Sequence, residues 1–90
     1  MRVLNKNFEI VKVNNQFEKL TGFSRQELIG RYCYDYAVSK EQAESERRSV
    51  DSAISESKRI EEDMELKTAD GSIPCIVATV PHYDADGRII

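Results

Sequence analysis

The sequence predicts an α+β fold, an antiparallel sheet carrying several short helices and one longer helix on one face. Three observations lead there. Glu9 to Val13 is rich in β-branched residues, helix-capping signals recur through the middle of the chain, and from Arg59 onward the apolar period drops to two. Strands at both ends with helices between them suit a sheet covered on one side.

The first element is a strand pair. Val3-Leu4 is followed by a Lys6-Asn7 turn and then Glu9 to Val13, with Val11 and Val13 expected on one face and Lys12 on the other. Asn14 or Asn15 can cap a short helix through Leu20, with Phe17 and Leu20 facing inward and Gly22 closing it. Ser24-Arg25-Gln26-Glu27 has the form of a capping box, in which hydroxyl and carboxylate each satisfy an orphan backbone N–H. Gly30 ends that helix. Arg31 to Val38 reads as irregular chain or a single helical turn.

Ser39 caps the longer helix, expected over Lys40 to Lys58, whose apolar residues Ala43, Val50, Ala53 and Ile54 make a thin stripe. Its charges, Glu41, Glu44, Glu46, Arg47, Arg48, Asp51 and Glu56, alternate in sign and are expected on the solvent face, with Glu44 and Arg48 as an i, i+4 pair. In the next strand Ile60, Glu62, Met64 and Leu66 alternate with Glu61, Asp63, Glu65 and Lys67. Ala69-Asp70-Gly71-Ser72 supplies a hairpin turn, because Asp-Gly tolerates positive φ. Ile73 to Val80 is the most apolar strand and is expected to be central, with Pro81 ending its ladder. Asp84-Ala85-Asp86-Gly87 turns again, and Arg88-Ile89-Ile90 starts a further strand.

Ninety residues make one small domain, spanning 1–90, with a single modest core. The net charge of −3 gives no basic surface for displacing counterions, so no nucleic-acid partner is expected. The longest uncharged run, Gly71 to Tyr83, is too short and polar to cross a bilayer, and the N-terminus has no signal-peptide core. No membrane insertion is expected, and the location is expected to be cytoplasmic. Cys33 and Cys75 form no CxxC or Cys/His cluster and are read as reduced thiols.

The ordered series Ile10-Val11-Lys12-Val13-Asn14, Phe17, Leu20-Thr21-Gly22-Phe23-Ser24, Glu27-Leu28-Ile29-Gly30, Ala69-Asp70-Gly71-Ser72-Ile73-Pro74 and Asp84-Ala85-Asp86-Gly87-Arg88 resembles a PAS domain over nearly the whole chain. The resemblance implies a five-stranded antiparallel sheet in the order 2-1-5-4-3, with helices around a small cavity. It also implies a sensory module that relays its state to an attached kinase, cyclase or transcription factor. The family's leading amphipathic helix is absent here and its fifth strand is reduced to Arg88-Ile89-Ile90. The chain is therefore expected to be a piece of a longer protein. Without that strand, the first and fourth strands are expected to carry unpaired edges, which invites dimerisation or strand exchange.

Within the resemblance, Gly30-Arg31-x-Cys33 matches the photoactive LOV branch, whose cysteine bonds flavin. Tyr32 and Tyr34-Asp35-Tyr36-Ala37 depart from that branch, Asp35 would repel the flavin phosphate, and the positions of its ring-binding asparagines are Glu65 and Cys75. A flavin photosensor using Cys33 is thus a remote alternative, and Cys33 is read as a packed side chain. Haem needs an axial ligand, and the only histidine, His82, lies beyond the long helix. Haem and flavin are both disfavoured, and no metal site is expected.

Catalysis is not expected either. No orienting residue can be assigned to a Cys33–His82 couple, no phosphate loop appears, and the acidic run Glu61, Glu62, Asp63, Glu65 reads as half solvated. Strand alternation places Cys75, Val77 and Thr79 on the face shared with Val11 and Val13, roofed by Ile54 and bordered by Cys33 and Tyr36. These eight are the expected lining of a ligand cavity. The functional expectation is a non-catalytic sensory module of a multidomain signalling protein, such as a histidine kinase, cyclase or transcriptional regulator. A ligand-free module for dimerisation or protein interaction is the alternative.

Overall fold

The computed structural model describes all 90 residues. Its elements are β1 (Arg2–Leu4), β2 (Ile10–Val13), α1 (Asn15–Thr21), α2 (Arg25–Leu28), a 3₁₀ turn (Cys33–Tyr36), α3 (Lys40–Ser55), β3 (Ile60–Thr68) and β4 (Gly71–Pro81). The strands form one sheet in the order β2-β1-β4-β3. Each helix start is the one its capping residue dictates. Asn14 Oδ1 accepts from Phe17 N at 3.0 Å, Ser24 and Glu27 form the reciprocal box, and Ser39 Oγ accepts from Gln42 N at 3.1 Å.

Gly22 closes α1 at φ 76°, and a Cβ there would stand 3.0 Å from the Cβ of Ala69, so both the backbone angle and the space require glycine. α3 stops three residues earlier than its pattern predicts. Ser57 adopts φ 53°, Lys58 N donates to Ala53 O and Ser57 N to Ile54 O, which is a Schellman closure with serine in the place glycine usually takes. Nothing in the residue types announces that stop.

The long hairpin behaves as its alternation predicts. β3 and β4 pair antiparallel from Ile60↔Thr79 to Thr68↔Gly71, with Leu66, Val77 and Thr79 buried and Glu61, Asp63, Glu65 and Ile76 exposed. β2 does not. The ladder pairs Val3 with Lys12 and then Leu4 with Ile10, so Val11 is the extra residue of a bulge. The bulge breaks the expected alternation, and Ile10 (1% exposed) joins Val13 (2%) in the core while Val11 is left half-buried.

The expected open edges on β1 and β4 are absent, because these two strands pair with each other, in parallel, from Arg2↔Thr79 to Leu4↔Pro81. The sheet is therefore mixed rather than wholly antiparallel, and the dimerisation expected from those edges loses its ground. Residues 88–90 add no full strand. They fold back as a bridge between Tyr83 and Ile89, with Lys6 N donating to Ile90 O and Ile90 N to His82 O. The outer edge of β2 is covered as well, since Ile10 exchanges both backbone hydrogen bonds with Gly30 and Arg31.

The core lies between the sheet and the helices. Leu4, Ile10, Val13, Phe17, Leu28, Cys33, Val50, Leu66 and Val77 form one contiguous cluster drawn from nearly every element.

Candidate functional site

Seven of the eight residues expected to line a cavity are brought to the core region, but as packing. Val13, Cys33 and Val77 belong to the core cluster, Tyr36, Ile54 and Cys75 pack against it, and Thr79 is 2% exposed. Val11 lies outside the cluster because of the bulge. No hollow of the molecule is lined by more than one of these eight. The space between α3 and the sheet is occupied instead by two charged residues.

Arg2 and Glu46 meet there, Arg2 Nη1 2.8 Å from Glu46 Oε2, with side chains 1% and 2% exposed. Arg2 precedes Leu4 by two in β1, so the period of the strand turns both inward. Glu46 stands three after Ala43 and four before Val50, on the very stripe that buries α3. The expectation that Glu46 faces solvent is therefore wrong, and its position between Ala43 and Val50 was the available signal. Arg2 Nε also donates to Thr79 Oγ1 at 3.0 Å, so one guanidinium ties β1 to both β4 and α3.

The pair is incompletely satisfied. Glu46 is partnered by Arg2 Nη1 and by the Cys33 thiol, whereas Arg2 Nη2 and, on β3, Glu62 Oε1 are buried without a hydrogen-bond partner. Buried polar atoms of this kind are rare in folded proteins, and each is costly. Glu46 and Glu62 share the wall of a hollow of about 100 Å³ at the α3–β3 junction, with Gln42, Ser45, Asp63 and Met64. Gln42 Nε2 donates to Glu65 O across the same junction.

Cys33 sits beside this pair with no exposed surface. Burial pushes its thiol from 9.0 up to about 12; Arg2 pulls it down, while the charge and hydrogen bond of Glu46 push it further up. Such a thiol stays protonated at neutral pH and is a poor nucleophile. Cys75 is half-buried, and burial raises its thiol as well, against the pull of Arg2.

The tyrosines serve packing. Tyr32 stacks on Tyr34 at 5.1 Å, Arg47 lies 5.1 Å over the Tyr34 ring, and Tyr36 packs on Phe23 at 5.3 Å with its hydroxyl 3.5 Å from Glu27 O. Burial also raises the Tyr36 hydroxyl, the nearby Arg31 opposing it. The expected pair of Glu44 and Arg48 does not close to ion-pair distance. Instead both border an open hollow of about 420 Å³ with Phe8, Arg47 and Asp51.

The residues present do not fit a flavin. Cys33 is enclosed by core side chains with a carboxylate beside it, and Glu65 is turned outward, where its carboxylate accepts from Ser72 Oγ at 3.0 Å. Nor do they fit haem, since α3 carries no histidine. No three His, Cys, Asp or Glu side chains gather as metal ligands. No helix is long and apolar enough to cross a membrane.

A mixed four-stranded sheet with helices packed on one face defines a small α+β domain. The PAS domain family model matches residues 1–90, and the chain belongs to the PAS domain family. No curated protein matches the sequence. Among solved structures, the chain is similar to the PAS domain of the Cronobacter turicensis RpfR quorum-sensing receptor in complex with BDSF. The two are 25% identical at a TM-score of 0.69, over 83% of this chain and 74% of that one. It is similar at 29% identity and a TM-score of 0.66 to the Erythrobacter litoralis EL346 blue-light activated histidine kinase, over 90% of this chain but 26% of that one. A PAS domain of Colwellia psychrerythraea shares the fold, with a TM-score of 0.73 at 22% identity over 99% of this chain and 75% of that one. PAS domains are sensory modules of signalling proteins, generally not catalytic, and the RpfR domain holds a small ligand.

Proposed function

We propose that this chain is the non-catalytic sensory input of a longer cytoplasmic signalling protein. It takes a small ligand beside the Arg2–Glu46 pair and relays its presence through the sheet to an effector such as a histidine kinase, cyclase or transcriptional regulator. The observation that carries the proposal is the under-satisfied pair itself, which joins β1, β4 and α3 at one point. A ligand that supplies the missing hydrogen bonds shifts the packing of α3 on the sheet by its differential affinity for the two arrangements. The similarity to the ligand-bound RpfR domain supports the reading.

The alternative is a ligand-free module for dimerisation or partner docking, and the filled core favours it, since nine residues pack there without a shared hollow. Native mass spectrometry of protein purified without added cofactors separates the two. A retained small mass is the expected result. A bare species at dimer mass supports the alternative.

A further inference from the structure

β3 is the last strand of the sheet, with β4 on one side and no strand on the other. The ladder closes on a tight turn at Thr68↔Gly71, so the alternate residues Leu66, Met64, Glu62 and Ile60 exchange their backbone hydrogen bonds with β4. The backbone N–H and C=O groups of Glu61, Asp63 and Glu65 therefore point away from the sheet. The chain covers only one end of that edge, where Ala37 bridges to Leu66 and Gln42 Nε2 donates to Glu65 O. The outward backbone groups of Glu61 and Asp63 have no partner within the chain.

An open edge of this kind is a template for one more strand. Its side chains decide which strand fits. Glu61, Asp63 and Glu65 stand in line on the outer face, all exposed. Arg59 pairs with Glu61 at 2.7 Å and Ser72 Oγ donates to Glu65, while Asp63 has no ion pair. On the inner side, Ser49 and Ser52 of α3 are small, and a hollow of about 270 Å³ lies between them and Ile60. It has room for a modest side chain of an added strand. A second copy of this chain is the wrong occupant, because antiparallel β3–β3 pairing would set carboxylates directly opposite carboxylates, which is destabilising. Lysine or arginine at every second position meets the same carboxylates with the opposite charge.

We propose that the free edge of β3 is a docking site for an extended basic segment of a partner protein. The segment adds as a further strand, bonds the backbone of Glu61 and Asp63, and sets its alternate cations beside their carboxylates. The inference does not depend on a small ligand, and it gives the partner-docking alternative a surface and a chemistry.

The probe is the capped pentapeptide Lys-Val-Lys-Val-Lys, titrated into the ¹⁵N-labelled chain at low salt. The expected result is saturable amide shifts at Glu61 and Asp63. At saturation amide exchange at these two should slow ~10-fold or more, while Glu62 and Met64, already bonded to β4, keep their rates. Glu-Val-Glu-Val-Glu should bind ~10-fold more weakly or worse, since exposed ion pairs give way to repulsion. The lysine peptide N-methylated at every backbone amide keeps the charge without the donors, and should leave the exchange rates unmoved. Asp63→Lys, at an exposed position, should weaken the lysine peptide ~5-fold, with the core amides unshifted as proof of folding. No response to the lysine peptide, an equal response to the acidic or the N-methylated one, or an unchanged affinity in Asp63→Lys overturns the proposal. Protection of Glu61 and Asp63 that rises with protein concentration alone also overturns it, in favour of a second copy as the occupant.

Discussion

Arg2 of the first strand and Glu46 of the long helix form an ion pair at 2.8 Å with almost no exposed surface. Taking two charges from water costs several kcal/mol per ion, and their attraction repays it only with good geometry and full hydrogen bonding. Here the hydrogen bonding is incomplete. The pair therefore stabilises the fold little, yet each partner is needed by the other.

Arg2→Met and Glu46→Leu singly should each destabilise the domain by ~3–5 kcal/mol, because each strands a buried charge. The double variant should recover most of that loss. Urea denaturation of the four proteins in a double-mutant cycle measures it, and additive losses would show that the two side chains are not coupled.

Cys33 makes stability depend on alkaline pH. Its thiol is held protonated up to about 12 in the folded chain and titrates near 9.0 when unfolded. Between these values the unfolded state releases a proton that the folded state keeps, so stability falls as pH rises, by at most about 1.4 kcal/mol per pH unit from this group. Cys33→Ala should show a shallower fall in urea midpoint over the same window. Parallel slopes would place the thiol in a more polar setting.

The two thiols should differ in reactivity. Cys33 is fully enclosed and Cys75 half-buried, so in the native state a maleimide should label Cys75 first, and more slowly than it labels free cysteine at the same pH. Labelling of Cys75 at the free rate would mean that its side chain points outward.

Val77 is 2% exposed within the core cluster. Val77→Trp should overpack it and cost ~1–3 kcal/mol or more, visible as a lowered thermal midpoint. An unchanged midpoint would reveal room that the packed core does not contain.

Ser57 holds φ 53° at the end of α3. Ser57→Gly should stabilise the domain by ~0.5–1 kcal/mol, since glycine bears the left-handed conformation without the Cβ clash and offsets that gain only in part through the unfolded state. A loss of stability on thermal melting would show that the serine side chain matters more than its backbone.

The family, the α+β class, the three helix starts and the β3–β4 hairpin were legible in the sequence because each rests on local chemistry. An asparagine or serine caps the next three residues whatever the rest of the chain does. Strand parity from Ile73 to Val80 is likewise a property of consecutive residues, and it placed Cys75, Val77 and Thr79 inward correctly.

What the tertiary structure alone decided is non-local. The bulge that exchanges Ile10 for Val11 arises from how β2 pairs with β1. The parallel pairing of β1 with β4 joins segments from opposite ends of the chain. The burial of Arg2 and Glu46 contradicts the ordinary preference of charged residues for solvent, and it becomes tolerable only when the fold sets each against the other. Residue type alone predicts solvent for both, because the compensating charge lies on another element and has no trace in either local pattern.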